Sequence, residues 1–441
     1  MPEAYGLQRQ FFEMLLDSQW WSTEALRDYQ RSQLSQLLRH ARANVPFYER
    51  RLDALFRANG DIDWDKWGEV PIVKRQDMID HRQAMQAREL PNGHGPTAVF
   101  KTSGSTGLAI EITSTAIAAV ADRGFRWRVH KWHDLDWSKT LISRLGYASH
   151  SEWFGGAEAL GIWGPTWDSS AKQGAAWMMD RERPNEDVFG VLRRHHCTYL
   201  NSGALSSHVM ARDSVRLGVE LRIEAILTQG NLVRQADRDI CRQVFGARLI
   251  EHYSSKEGGQ LAHGCPLGKL HLNVEGSLLE VLDHEGNPCH PGQTGRVVIT
   301  PVFQTAQPLI RYEQGDLATV GSPCACGRTA PTLDGVIGRS ISLFVHPTGR
   351  AKVLSILPDD TPETLQSVHL QVAQVGPNAY ELRYQPIDWT RFGDENTVAD
   401  HLRDLLWDDI EIRFVRRRDL ALARADKLIE FVNEWSGPVA N

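Results

Sequence analysis

Between residues 185 and 255 the chain repeats one pattern, an amphipathic run followed by a short run of aliphatic and β-branched residues. "EDVFGVLRRHH" reads as helix and "CTYLNSG" as strand, "SSHVMARDSVRLG" as helix and "LRIEAILTQG" as strand, "NLVRQADRDICRQVFG" as helix and "ARLIEHYSS" as strand. Strands joined through a helix each time run parallel, because the crossover returns the chain to the edge where it started. The segment therefore predicts βαβ units, a parallel sheet and an α/β fold. Ligands of such sheets sit beyond the carboxyl ends of the strands. Two polar loops fall there, "TQGN" (228–231) and "YSSKEGG" (253–259).

The flanking segments read differently. The first seventy residues are helical in pattern: Leu34, Leu37, Leu38 and Ala41 recur at helical spacing, and Pro46 closes the run. From Leu272 onward "LLEVLDHEGNPCHPGQTGRVVITPV" places two β-rich runs around "DHEGN", the pattern of antiparallel strands. Around "GRSIS" (338–342) a third segment begins, whose strands and helices predict a small α+β domain. A chain of 441 residues exceeds what one hydrophobic core serves, so more than one domain is expected.

Composition narrows the function class. The net charge of −6, with no basic stripe, gives no electrostatic footprint for nucleic acid. No stretch of about 18 apolar residues runs uninterrupted, so a membrane span is not expected. The N-terminus carries acidic residues and no continuous apolar segment, which argues against a signal peptide and for the cytoplasm. Six cysteines in a chain of this length do not make a disulfide scaffold; in a reducing compartment they serve as thiols or metal ligands.

The densest motif is "FKTSGSTGLAIEIT" (100–113), in which Thr102, Ser103, Gly104, Ser105, Thr106 and Gly107 stand between two strand-like runs. Hydroxyls and backbone N–H groups converging in such a loop can cradle a phosphate without any lysine. A Walker A loop opens a helix, whereas this one sits in a β-hairpin. Alone it is equally a flexible hairpin loop. It is followed, however, by "YSSKEGG", "PLIRYEQGD" (308–316), "GRSISL" (338–343) and "RADKLIEF" (424–431).

In that order and at those separations the chain resembles the adenylate-forming superfamily of acyl-CoA synthetases, adenylation domains and luciferases. More narrowly it is similar to the phenylacetate-CoA ligase family, whose opening segment "QLSQLLRHARANVPFYERR" and "VPIVKRQDM" resemble. The resemblance spans nearly the whole chain. It implies a large ATP- and acid-binding domain over residues 1–338, with parallel sheets and a β-rich part, and a small mobile α+β domain over 339–441. It also implies roles. Thr102 to Gly107 would grip the β- and γ-phosphates of ATP, and Gly230 and Ser254 would join the nucleotide site. Tyr253 would lie against the adenine and Glu257 would hold Mg²⁺, a hard dication that takes oxygen ligands. Asp316 would bind the ribose hydroxyls, and Arg339 would stand near the ribose where the domains join.

Lys427 would swing in with the small domain and touch the carboxylate and α-phosphate during adenylation; otherwise it is a solvated helix-face lysine. A flexible point charge suits the first task, since charge builds on phosphorus only in the transition state. The implied reaction is acid plus ATP to acyl-adenylate and pyrophosphate, then transfer to CoA. Departures from the family pattern are Leu108 in place of a lysine, Lys256 in place of a threonine, Asn231 in place of a glutamate, and Ser340, Ile341 and Ser342 in place of an acidic pair. They keep two alternatives open: transfer to an amine or a carrier-protein thiol, and a non-catalytic nucleotide-binding protein of the same fold. A homodimer is also left open.

Cys265 and His271 lie in "HGCPLGKLHL", and Cys324 and Cys326 in "GSPCACGR". Thiolates and an imidazole in two clusters beside Gly or Pro turns suit tetrahedral Zn²⁺, and four protein ligands make such a site structural, with no open position. His263 is an alternative fourth ligand, and three buried thiols the plain reading. Some phenylacetate-CoA ligases have a structural zinc with similar cysteines, which the resemblance carries over. Cys197 and Cys241 read as core residues, and Cys289 also stands apart. Seven tryptophans (Trp127, Trp132, Trp137, Trp153, Trp163, Trp167 and Trp177) cluster ahead of the parallel-sheet segment. They would line a slot for a flat aryl acid or pack the core; His130, His133 and His150 would add polar contacts.

Overall fold

The computed structural model describes the chain from residue 2 to 435, apart from 102–109, 147–156, 168–171, 181–182, 230–232, 340–342, 349–350, 354–356, 358–360 and 419–430. It divides into two compact units. The larger comprises residues 1–100, 112–314 and 318–336; the smaller comprises 101–111, 315–317 and 337–441.

The larger unit is built on a sheet of twelve strands. At its centre Ala175–Asp180, Leu141–Gly146, Tyr199–Asn201, Ala225–Gln229 and Arg248–Ser255 run parallel, each paired with the next. The helices Asn185–Arg194, Ala204–Arg216 and Gln235–Phe245 supply the crossovers. The alternation predicted from residues 185–255 is the one observed.

Period-two alternation explains how one sheet serves two faces. Ile142, Leu200, Ile226 and Leu249 point to one side and pack with Val188, Leu192, Met210, Cys241 and Phe245 from the crossover helices. Tyr199, Ala225, Leu227 and Ile250 point to the other, against Val129 and Trp132 of the helix Ala116–Trp132. Leu200 and Ile226 are fully buried, and each contributes about 2 kcal/mol relative to exposure.

The crossover helix Gln235–Phe245 ends at Gly246, which adopts φ +72° and donates its N–H to the Arg242 carbonyl. A side chain there would strain the left-handed cap, so glycine is the residue that lets the chain enter the next strand.

Beyond Ser255 the sheet turns antiparallel, with Gly259–Gly264 on Arg248–Ser255 and Leu270–Leu272 on Gly259–Gly264. Ser277–Leu282 and Thr294–Pro301 pair antiparallel at the far edge, as "DHEGN" between two β-rich runs predicts. The helix Thr23–Asn44 buries Leu34, Leu37, Leu38 and Ala41 and stops before Pro46, whose ring cannot continue it.

The smaller unit carries a four-stranded sheet in the order Glu411–Arg416, Ala379–Pro386, Ser367–Gln374, Phe431–Asn433. The helix Glu395–Leu405 buries Val398 and Leu402 with Tyr380, Leu382 and Tyr384 of that sheet. This is the α+β arrangement read from the third segment.

Candidate functional site

Tyr253 and Ser254 lie at the carboxyl end of Arg248–Ser255, and Glu257 in the turn that follows. Alternation makes Tyr253 buried, while its hydroxyl donates to Gln314 Oε1 at 3.3 Å. Gln314 Nε2 donates to Ser255 Oγ at 2.6 Å, and Ser255 Oγ accepts from the Gly258 N–H at 2.8 Å. These bonds lock the turn that carries Glu257. Asp316 lies half-buried in the strand Tyr312–Val320, and Arg339 closes the strand Thr332–Arg339. The strands Thr97–Lys101 and Glu111–Thr115 that flank the hydroxyl-rich loop form a two-stranded sheet. Thr102 to Gly107, Gly230 and Lys427 lie outside the described residues.

Cys265, His271, Cys324 and Cys326 come together, each offering one ligand atom, all within 4.8 Å of one another. The Cys265 and Cys324 sulfurs are 3.7 Å apart, and Cys326 Sγ lies 3.3 Å from His271 Nε2. Ligands about 2.3 Å from a tetrahedral metal stand about 3.8 Å from each other, so this donor set fits a closed site. Burial pushes His271 down to about 4, which keeps its imidazole neutral and able to ligate. Burial pushes the Cys324 thiol up to about 11; Cys326 is held below its ordinary value, against burial, by the Arg328 N–H and guanidinium. Arg328 is itself stacked 4.4 Å from the Trp132 ring.

His263 is not part of this cage. Its Nε2 meets Gln260 Oε1 at 3.0 Å and its Nδ1 meets Asn273 Nδ2 at 3.3 Å. Those bonds belong to a polar chain, half-exposed at Arg126 and Asp122 and buried from Gln260 inward, in which Arg126 donates to Asp122, Gln260 donates to Asp122, Arg128 donates to Asn273 and Glu275, and Ser18 donates to Glu275. Both ring nitrogens are engaged, so His271 is the imidazole of the cluster.

A cavity of about 500 Å³ lies between the helix Ala116–Trp132 and the sheet. Ser143, Asn201 and Leu227 are adjacent in register and form one row of its wall; His252 pairs with Gln229 one row nearer the carboxyl edge. This wall carries Ser143 and Asn201, with His252 one row nearer the edge where ligands of parallel sheets sit. Of the seven tryptophans, Trp127 and Trp163 line this space. Trp132 packs beside Tyr199 and Cys265 instead, Trp177 stacks on His195 at 4.0 Å, and Trp153 lies outside the described residues. His130 lines the cavity and His133 does not; its Nε2 meets the Gly264 carbonyl at 2.8 Å, and His150 lies outside the described residues. The stretch "LNSGALSSH", which the family pattern places at the acid pocket, contributes Asn201; the sequence reading did not single out Ser143 or His252. Their signal is a polar residue two positions beyond a buried apolar one on the same strand phase, as His252 follows Ile250.

No protein-family model matches the chain. It is 25% identical over 417 residues to phenylacetate-coenzyme A ligase of Thermus thermophilus, covering 86% of this chain and 87% of that one. Among solved structures, 2-hydroxyisobutyryl-CoA ligase in its postadenylation state, bound to a hydroxyisobutyryl adenylate, superposes with a TM-score of 0.71 at 17% identity over 94% of this chain and 91% of that one. The chain has the fold of 2-hydroxyisobutyryl-CoA ligase and is similar in sequence to this phenylacetate-coenzyme A ligase. The fold extends to o-succinylbenzoate coenzyme A synthetase of Bacillus subtilis in complex with AMP, at a TM-score of 0.51 and 14% identity over 77% of this chain and 68% of that one. No helix among the described residues is long and apolar enough to cross a membrane.

Proposed function

We propose that this chain is an AMP-forming acid–thiol ligase that activates a carboxylic acid, an aryl acid in our reading, with ATP and passes the acyl group to CoA. The observation that carries the reading is the end-to-end likeness to acyl-CoA ligases, with an internal cavity on the ligand-binding side of the parallel sheet. In the first step a carboxylate oxygen attacks the α-phosphorus of ATP and the α–β phosphoanhydride bond breaks, releasing pyrophosphate. In the second the CoA sulfur attacks the acyl carbon, AMP departs, and the thiol proton passes to solvent. Adenylation is needed because a carboxylate is a poor electrophile with a poor leaving group.

Within this reading Thr102, Ser103, Gly104, Ser105, Thr106 and Gly107 cradle phosphate, Tyr253, Ser254 and Gly230 form the nucleotide seat, and Asp316 holds the ribose with Arg339 beside it. Glu257 supplies a carboxylate for Mg²⁺, and Lys427 supplies the cation that the phosphate loop lacks. The division into a large domain, 1–338, and a small domain, 339–441, that moves between half-reactions belongs to the same proposal. So do a cytoplasmic location and the absence of nucleic-acid partners. Cys265, His271, Cys324 and Cys326 hold a structural Zn²⁺ that staples Gly259–Gly264 and Leu270–Leu272 to the loop before Thr332. With all four positions filled by protein, the ion takes no part in the chemistry.

The test is acid-dependent exchange of labelled pyrophosphate into ATP across a panel of acids, with and without CoA. Exchange together with CoA-dependent AMP release is expected. Exchange with no product from CoA transfers the second step to an amine or a carrier thiol, and ATP binding without exchange for any acid leaves a nucleotide-binding protein.

A further inference from the structure

The cavity beneath the helix Ala116–Trp132 carries more chemical information than its size. Trp127 Nε1 donates to the Trp163 carbonyl at 3.2 Å and Trp163 Nε1 to the Lys139 carbonyl at 2.8 Å. Both indole N–H groups are thereby consumed by backbone, so these rings offer the cavity carbon surface only, as walls for a flat apolar group. The polar contributions come from two imidazoles.

His130 Nδ1 accepts from Trp137 Nε1 at 3.2 Å, which fixes the ring proton on Nε2 and makes that atom a donor. His252 Nε2 is buried and has no hydrogen-bond partner among the described residues. A buried polar atom left unpaired costs about 1–3 kcal/mol, a cost that a ligand entering the cavity would remove. The two rings line the same space.

The two imidazoles favour a neutral polar group over a second carboxylate. Burial pushes His130 down to about 3 and His252 well below the ordinary imidazole value, so neither supplies a positive charge near neutral pH. Two guanidiniums also line the cavity: Arg126 is paired with Asp122 at 2.8 Å, and Arg123 is exposed to solvent, away from the buried imidazoles. A hydroxyl is the small group that can both accept from a fixed N–H and donate to an imidazole lone pair.

We propose that this cavity receives the acyl group and selects an aromatic acid bearing a ring hydroxyl, whose oxygen accepts from His130 Nε2–H and whose proton goes to His252 Nε2. The inference rests on the acid-activation reading above and names the substrate class of that same site. His130 and His252 are specificity-determining residues on this account. A site built to pair a hydroxyl rejects the analogue lacking it, because its own groups are then left unpaired.

The test compares benzoate and phenylacetate with their 2-, 3- and 4-hydroxy forms, using the full chain. Binding is followed by calorimetry, and activation by pyrophosphate exchange with ATP and Mg²⁺. At least one hydroxylated acid is expected to exceed its parent by about 100-fold in kcat/KM, the upper part of the range that an unpaired buried group costs, and to bind correspondingly tighter. His252→Phe keeps the ring and removes the nitrogens, and should lower that hydroxyl-to-parent ratio at least about tenfold. His252→Gln, whose amide can meet the hydroxyl, should restore part of it and also serves if the phenylalanine variant does not fold. Equal use of parent and hydroxylated acids, or a ratio unchanged in both variants, overturns the inference while leaving the ligase reading intact. Hydroxyl-selective binding that His252→Phe abolishes, with no exchange for any acid, sustains the cavity assignment and sinks the ligase reading. No binding and no exchange sinks both.

Discussion

Replacing Arg128 with methionine removes one charge from the most buried ion pair among the described residues of the larger unit. Arg128 and Glu275 are each 2% exposed, and Arg128 Nη1 donates to Glu275 Oε1 at 2.7 Å. The other terminal nitrogen donates to Asn273 Oδ1 at 2.7 Å. The guanidinium also sits 5.2 Å from the Phe125 and Trp132 ring centroids, so a methionine of similar length preserves the apolar packing and deletes the charge. What remains is a buried carboxylate whose surviving partner is the Ser18 hydroxyl. Stranding a charge in this way costs about 3–5 kcal/mol, a large share of the roughly 5–15 kcal/mol that holds a domain folded. Urea unfolding followed by tryptophan fluorescence measures it. With a slope of about 3 kcal/mol/M, the midpoint should fall by about 1–1.7 M. Adding Glu275→Gln removes the stranded charge and should return about 2 kcal/mol of that loss. A loss below about 1 kcal/mol for Arg128→Met, or a double variant no more stable than the single, refutes the reasoning.

Metal analysis of the purified protein should find one zinc per chain, and Cys265→Ser or Cys326→Ser should lower that content below half while reducing thermal stability; a fully occupied Cys326→Ser variant contradicts the ligand set. Lys427→Ala should slow pyrophosphate exchange by about 10²–10³-fold with little change in ATP binding, as removal of a group that acts on transition-state charge does; unchanged exchange removes Lys427 from the mechanism. Acid should destabilise the protein through His130. Burial, with Arg126 and His133 adding to it, lowers its folded value to about 3, against about 6.5 when unfolded. Its neutral form therefore costs nothing above about pH 6.5, and stability falls as pH drops from there toward 3. The slope is about 1.4 kcal/mol per pH unit, so roughly 2 kcal/mol is lost by pH 5. Comparing the pH dependence of unfolding in wild type and His130→Phe checks this; equal slopes between pH 5 and 6.5 contradict it.

The parts legible in the sequence are those fixed by local pattern. The crossovers between Asn185 and Ser255 could be read because each strand is a short apolar run buried on both faces and each helix has one apolar face, and the cap at Gly246 punctuates them. The Cys265–His271 and Cys324–Cys326 pairs could be read because thiols and imidazole near tight turns advertise themselves, even with more than fifty residues between them. The polar chain from Arg126 to Ser18 could not. Its members come from the helix Ala116–Trp132, the strand Gly259–Gly264, the turn after Leu270–Leu272 and the N-terminal helix, and the Arg128–Glu275 pair spans 147 positions. An arginine on an amphipathic helix ordinarily reads as a solvated face, and only tertiary packing makes it a core residue. The same network explains why His263, an equal candidate for the metal on spacing alone, is committed to Gln260 and Asn273. His252 and Tyr253 are neighbours on one strand and face opposite sides, so the motif that marks Tyr253 carries no information about the face His252 lines.

The central claim is that the chain makes an acyl-adenylate. Mass spectrometry of a mixture of full chain, ATP, Mg²⁺ and a hydroxylated aryl acid, quenched before and after CoA is added, tests it most directly. The account predicts a species weighing acid plus AMP less one water before CoA, replaced mole for mole by thioester and free AMP afterward. ADP and inorganic phosphate as the nucleotide products, with no such adduct at any time, would contradict it.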